Sequence, residues 1–223
     1  VSRYIPEGEC TLTAKKLLAT MNVMLRGLPF IYQGQEIGME NMEFTSMDQI
    51  DDISTIDEYQ VALRAGCSEK EALDAASAFS RDNARTPVQW SAEKNAGFSE
   101  GEPWLGVNPN YKEINAKQQL SDPDSIFRYY QKLIRLRKEK PVIVYGAFEA
   151  LYRDHDQIFA YTRTLEGEKL LTVCNFSEHV AEMEIPEEFQ KNAECLITNL
   201  GRKDFGKKVI LKPYEAFVLY RNL

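Results

Sequence analysis

The seven residues LPFIYQG (28–34) set the strongest limit on how this chain can fold. Phe30–Tyr32 is a short apolar run bounded by Pro29 and Gly34, the pattern of a strand buried on both faces. Such strands sit inside parallel sheets, where each needs neighbours joined through crossover helices. No other part of the 223 residues alternates strand with helix clearly in that way. The strand is an orphan, and the chain, which does not start with methionine, reads as an excised piece.

The flanking segments carry their own periods. Thr11–Arg26 repeats apolar residues at helical spacing (Ala14, Leu17, Leu18, Met21, Leu25), with Thr11 to cap it and Gly27 beyond its end. From Glu40 to about Leu120 the chain is polar and irregular, apart from helical patches at DEYQVALRAG and SEKEALDAASAF. The second has Ser68 and Glu71 spaced for a capping box. So long an excursion inside a compact domain points to function. A helix is expected from Pro123 to Lys140, capped by Asp122, with Ile126, Tyr129, Tyr130, Leu133 and Leu136 buried. Arg135, Arg137, Lys138 and Lys140 suit the negative end of that helix dipole. After Pro141 six short segments follow (QIFAYTRT, KLLTVCNF, VAEMEI, AECLIT, KKVIL and YEAFVLYR), separated by turn residues, which predicts an antiparallel β-sandwich.

Composition narrows the partners. With 43% hydrophobic and 27% charged residues the chain belongs to the ordinary folded class. A net charge of −7 argues against binding nucleic acid or an acidic membrane, both of which need a cationic face. No apolar run approaches the roughly 18 residues of a membrane span, and no signal peptide is visible. Cys10, Cys67, Cys174 and Cys195 are scattered, as idle thiols in a reducing compartment would be, and only His155 and His179 could add imidazole ligands. The expectation is a cytoplasmic protein without metal or cofactor.

The stretch RDNARTPVQW (81–90) fits neither helical nor strand period. Read in order, GLPFIYQGQEIGMEN, then RDNARTPVQWSAEKNAGFSEGEPWLGVNPNYKEIN, then DSIFRYYQKLIRLRKEKP resemble the C-terminal portion of the α-glucosidase and oligo-1,6-glucosidase branch of the α-amylase superfamily (glycoside hydrolase family 13). The resemblance runs through nearly the whole chain and is weakest in the terminal sandwich. It implies α/β plus all-β architecture: the last part of a (β/α)8 TIM barrel over residues 1–140, then an antiparallel β-sandwich domain over 141–223. Thr11–Arg26 would be barrel helix 7, Phe30–Tyr32 strand 8, and Pro123–Lys140 helix 8. The excursion between them would be the loop after strand 8, on the barrel face where such sites lie.

The resemblance also implies roles. Arg81 matches the family arginine that reaches the glucose pocket beside an upstream aspartate. A planar guanidinium suits that task because it offers fixed donors to hydroxyls and carboxylate together. Arg85 is expected to anchor the loop internally. Asp82 and Asn83 are expected to make a local turn. Trp90 and Trp104 could stack on sugars, with packing of the loop the stronger expectation. Gln33, Gln35 and Glu36 are expected to support the site from behind. Ser54 stands where relatives often carry a glutamate after Asp-Ile, so linkage preference does not carry over.

The family mechanism is retaining, with an aspartate nucleophile, a glutamate acid/base and a supporting third carboxylate. All three correspond to positions before this chain, so no catalytic residue is assigned and the fragment alone is expected to be inactive. The intact protein would be an exo-acting hydrolase of terminal α-glucosidic bonds in short oligosaccharides. A trehalose-6-phosphate hydrolase, a noncatalytic glycosidase-like protein and a sugar-binding module are the alternatives. A module would need exposed aromatics, whereas Phe159, Tyr161, Phe176, Phe217 and Tyr220 read as core. Leu17, Met21, Met24, Phe30 and Ile31 would face the rest of the barrel, so the fragment is expected to self-associate through them.

Overall fold

A computed structural model describes every residue except Val1, Arg3, Pro6, Glu7 and Cys10. Contacts divide the chain into two units, Val1–Glu7 with Tyr32–Phe127, and Gly8–Ile31 with Arg128–Leu223.

The second unit is built on helix α1 (Leu12–Met24) and on strands β1 (Ala147–Leu151), β2 (Ile158–Leu165), β3 (Glu168–Asn175), β4 (Ala181–Glu184), β5 (Glu194–Thr198), β6 (Lys208–Leu211) and β7 (Ala216–Asn222). Five strands form one antiparallel sheet in the order β1-β2-β3-β7-β5, and β4 pairs with β6 in another. The register runs Leu171↔Leu219 between β3 and β7, and Met183↔Val209 between β4 and β6. One face of the large sheet (Ile158, Leu171, Val173, Phe217 and Leu219) packs against Met183, Val209 and Leu211 of the small one, which makes the expected sandwich. The opposite face is covered by α1 and by the short helix α6 (Pro141–Tyr145). Central strands covered on both faces explain why β3 and β7 read as continuous apolar runs rather than alternating ones. Tyr161 and Phe217 are fully buried, Tyr220 nearly so, and Phe159 and Phe176 half-buried, so these aromatics form no exposed sugar-binding row.

Thr11 caps α1 as expected, its Oγ1 accepting from the Ala14 amide at 3.3 Å. The other end of α1 has no basic residue in its last turn. Its carbonyls are satisfied from elsewhere. Helix α5 (Ile126–Glu139) sends Arg137, whose Nη1 donates to the Val23 and Leu25 carbonyls at 2.7 and 3.1 Å and whose Nη2 donates to Gly27. From β2, Arg163 Nη1 donates to the Met24 carbonyl at 3.3 Å. Arg137 therefore caps a neighbouring helix, where the sequence had suggested a role at its own helix end. A buried bond between the Thr20 and Tyr129 hydroxyls, 2.8 Å long, ties α1 to α5 again.

Two expectations change. Helix α5 begins at Ile126, because Asp122 accepts from the Asp124 amide at 2.8 Å and closes a turn that delays the helix. The segment expected as a strand, Phe30–Tyr32, forms no ladder with any described strand, and Phe30 is 81% exposed. A strand exists only by pairing, and every strand pair among the described residues is antiparallel and lies elsewhere. Of the helical residues expected in the self-association patch, Leu17 and Met24 are fully buried and Met21 is half-buried.

The first unit holds helices α2 (Ile53–Arg64), α3 (Glu69–Ala78) and α4 (Ala116–Ser121) within a network of loops. Helix α3 has the anticipated capping box: the Glu71 amide donates to Ser68 Oγ at 3.3 Å, and Glu71 Oε2 accepts from the Ser68 amide at 2.9 Å. Phe44, Ile50 and Leu73 form its small core, with Met42, Met47 and Tyr59 packed alongside.

Candidate functional site

The irregular stretch 81–90 is held largely by bonds to distant loops. Residues 81–84 form a single 3₁₀ turn started by Ser80, whose Oγ accepts from the Asp82 amide at 3.2 Å. Asp82 is fully buried. Its Oδ2 accepts from the amides of Asp51 at 2.7 Å and Asp52 at 2.9 Å, and its Oδ1 accepts from Arg85 Nη1 at 3.1 Å. Asp82 thus fixes the start of α2 across thirty residues, where the sequence suggested a local turn. Asn83 differs from expectation in the same way. Its Oδ1 accepts from the Met42 amide at 3.1 Å, and its Nδ2 donates to the Ser77 carbonyl at 2.8 Å. Short polar side chains bond to whichever backbone is near, and here the nearest groups come from other loops.

Asp52 faces the same cluster. Its Oδ2 accepts from Thr55 Oγ1 at 2.8 Å and from the Arg81 amide at 3.3 Å, and Arg85 Nη1 lies 4.0 Å from its Oδ1. Burial opposes its ionisation, but the Thr55 hydroxyl, the Arg81 amide and the charges of Arg81 and Arg85 outweigh it and hold the carboxyl below its ordinary pKa. Arg85 is an internal anchor in this geometry, spanning two carboxylates.

Arg81 is different. Its amide is engaged, yet no hydrogen bond or ion pair to a described residue holds its exposed guanidinium. It lines a cleft of about 460 Å³ together with Arg85, Tyr32, Gln33, Gln35 and Asn41. The Tyr32 hydroxyl donates to the Ala84 carbonyl at 2.9 Å, which joins the two walls. The Asn41 Nδ2 donates to the Ala78 carbonyl at 3.0 Å, and Asn108 Nδ2 to the Asn41 carbonyl at the same distance, fixing the far side. Gly34 makes the floor turn: its φ is +85°, and a Cβ there would meet Met39 Sδ at 2.4 Å. A cleft with two guanidiniums, four side-chain amides, two phenols and the Glu40 carboxylate suits a neutral polyhydroxylated ligand, because it offers donors and acceptors on several sides.

Of the residues singled out in the sequence, Gln33 and Gln35 join Arg81 in this cleft, and Glu36 does not line it. Glu36 Oε2 is buried without a partner among the described residues. Ser54 sits exposed in the first turn of α2, away from the cleft lining. Trp90 and Trp104 are 54% and 72% exposed, so the expected packing of both rings into the loop is not found. The loop closes instead through hydrogen bonds, with the Trp90 and Ser91 amides both donating to the Ala96 carbonyl at 2.9 Å. Tyr32 and Asn41 were missed as cleft residues, because nothing local distinguishes them. Asp52 could have been found as the polar residue preceding a helical patch.

Comparison with known proteins agrees with this architecture. Residues 158–218 match the alpha-amylase SusG C-terminal domain. The oligo-1,6-glucosidase of Halalkalibacterium halodurans is 44% identical over 221 residues, which are 98% of this chain and 39% of that protein. The trehalose-6-phosphate hydrolase of Bacillus subtilis is 39% identical over 98% of this chain and 39% of its own length. The crystal structure of a trehalose-6-phosphate hydrolase from Bacillus licheniformis superposes with a TM-score of 0.94 at 40% identity, over all of this chain and 41% of that one. The chain therefore spans about 40% of the length of these relatives. Residues 1–146 match the alpha-amylase catalytic domain, and the chain belongs to the alpha-amylase family.

Proposed function

We propose that this chain is the C-terminal portion of a retaining, exo-acting α-glucosidase of the oligo-1,6-glucosidase type. The intact enzyme would hydrolyse terminal α-glucosidic bonds of short oligosaccharides in the cytoplasm. The observation that carries this reading is end-to-end similarity: relatives named oligo-1,6-glucosidase match 98% of the chain at 40–44% identity. In this reading residues 1–140 end the barrel and residues 141–223 form the β domain. The nucleophile, acid/base and third carboxylate come from the preceding part of the barrel, and the chain alone is inactive. Its exposed Phe30 and neighbouring apolar side chains would then promote self-association of the isolated fragment.

Arg81 is the substrate-binding residue of the reading. Its guanidinium is free of hydrogen bonds to described residues and lines the cleft, while the ion pair from Arg85 fixes the turn that presents it. Removing it should weaken binding of the terminal glucosyl unit and leave the loop folded. The test is turnover of isomaltose, maltose and trehalose-6-phosphate by the full-length protein, with Arg81→Ala alongside. Cleavage of isomaltose with kcat/KM reduced at least a hundredfold in Arg81→Ala supports the proposal. Preference for trehalose-6-phosphate would favour the second reading, for which the 0.94 TM-score to a trehalose-6-phosphate hydrolase is the specific argument. Turnover unaffected by Arg81→Ala would remove Arg81 from the site.

A further inference from the structure

The first unit has a second concavity, of about 410 Å³, that shares no lining residue with the Arg81 cleft. Its floor includes Ile50 and Leu105, both buried, and Ile50 belongs to the small core of that unit. At its edge stands Trp104, 72% exposed. The turn before Trp104 is fixed by Asn95, whose Nδ2 donates to the Ser99 and Gly101 carbonyls at 3.1 and 2.8 Å. The indole adds nothing to the small core of that unit, which leaves its faces open to stack on a ligand.

The polar lining narrows what the indole could meet. Asp48, Asp51 and Glu102 line the concavity, and no described residue hydrogen-bonds or ion-pairs with their carboxylates. An anionic ligand would be repelled by three like charges. A metal ion would need converging ligands, and among the described residues no three His, Cys, Asp or Glu side chains lie close enough to hold one. A neutral ligand rich in hydroxyl donors fits both conditions. Carboxylates accept strong charge-assisted bonds from hydroxyls, and a flat C–H face covers an indole. A pyranose ring has both features.

We propose that this concavity is an accessory glycosyl-binding site, in which Trp104 stacks on a glucosyl ring while Asp51 and Glu102 accept its hydroxyls. The choice of glucose among pyranoses rests on the glucosidase reading above. The site would hold a second oligosaccharide, apart from the one in the Arg81 cleft.

The test is isothermal titration of the full-length protein with hydrolysis-resistant, thio-linked maltotetraose and isomaltotetraose. Trp104→Ala should lower the stoichiometry by one, or raise the dissociation constant of one site at least tenfold. Trp104→Phe, which keeps a flat ring, should restore binding. Arg81→Ala should remove a different site and leave this one. Stoichiometry and affinities unmoved by Trp104→Ala, in a protein that still cleaves isomaltose, would overturn the accessory site alone. No binding of either thio-sugar together with no turnover of any glucoside would overturn the accessory site and the glucosidase reading together.

Discussion

Arg163 offers the sharpest test of how the second unit is held together. It is fully buried in β2, and no carboxylate among the described residues faces it. Its guanidinium makes five hydrogen bonds to four carbonyls: two to Gly146 (3.1 and 2.7 Å), one to Ile143 (2.8 Å), and longer ones to Met24 (3.3 Å) and Val144 (3.4 Å). Those carbonyls belong to the C-terminal ends of α1 and α6, where helices leave acceptors unpaired. Burial pulls the Arg163 pKa down, and the group remains a cation at neutral pH because its starting value is so high. Arg163→Met keeps most of the volume and removes every donor. Each short bond from a charged donor is worth about 1.5–3 kcal/mol, and desolvation of the lost cation offsets part of the sum. The expected net loss is about 3–5 kcal/mol. Arg163→Lys should lose about 2 kcal/mol, because an ammonium cannot span Gly146 and Ile143 at once.

Cys174 reports on the same unit. It is a free thiol, fully buried in β3, with burial pushing its pKa up to about 12. Its labelling by a small alkylating reagent at pH 7.5 therefore requires opening of the unit. With opening in rapid equilibrium, a 3–5 kcal/mol loss raises the labelling rate roughly a hundred- to a few-thousand-fold at 25 °C. An increase below about fivefold, equivalent to about 1 kcal/mol, would refute the argument that these carbonyls depend on Arg163.

Three further outcomes follow from particular contacts. Asp82→Ala leaves two amides and Arg85 without their acceptor and should cost about 2–4 kcal/mol; hydrogen exchange should accelerate at residues 51–56, and unchanged exchange there would contradict the long-range role. The lowered pKa of Asp52 gives stability that is fully present above its ordinary value of 3.8 and is lost as pH falls through the still lower folded value. Urea midpoints measured from pH 6 down to pH 2 should drop less in Asp52→Asn than in the parent protein. Gly34→Ala should cost about 1–2 kcal/mol from its positive φ, with more from the clash at Met39, and should lower affinity for ligands of the Arg81 cleft. A Gly34→Ala protein with parental stability and binding would show that the turn tolerates a side chain.

What the sequence revealed was local. Thr11, Ser68 and Glu71 act within four residues of their own positions, so their caps were legible. Six strands were recognisable because turn residues separated them. β1 was missed, since AFEAL has no strand composition and becomes a strand only by pairing with β2, with Phe148 opposite Arg163. The inward direction of Arg163 was hidden for the same kind of reason. In YTRT it looks like a polar residue on an exposed face, and only the helix ends packed behind β2 give its donors a place to go. The partners of Asp82 lie thirty residues away, a distance that no short motif encodes.

The same distinction explains why one stretch carries two arginines four apart. Asp52 and Asp82 are two buried carboxylates, and the stretch sets two positive groups near them. Arg85 supplies the first directly, through contact with both. Arg81 supplies the second at longer range, since its charge helps keep Asp52 ionised while its guanidinium remains free of hydrogen bonds to described residues. A guanidinium tied by hydrogen bonds to the cluster would be spent on stability and unavailable to a ligand. One left wholly without counter-charge would draw in stray anions. Placing two carboxylates behind the turn and one arginine across them leaves the other arginine balanced in charge but open in hydrogen bonding. Arg81→Ala should therefore do two things at once: weaken ligand binding in the cleft and raise the pKa of Asp52. Loss of binding with no change in the acid-side stability profile would mean that the two functions of Arg81 are not coupled.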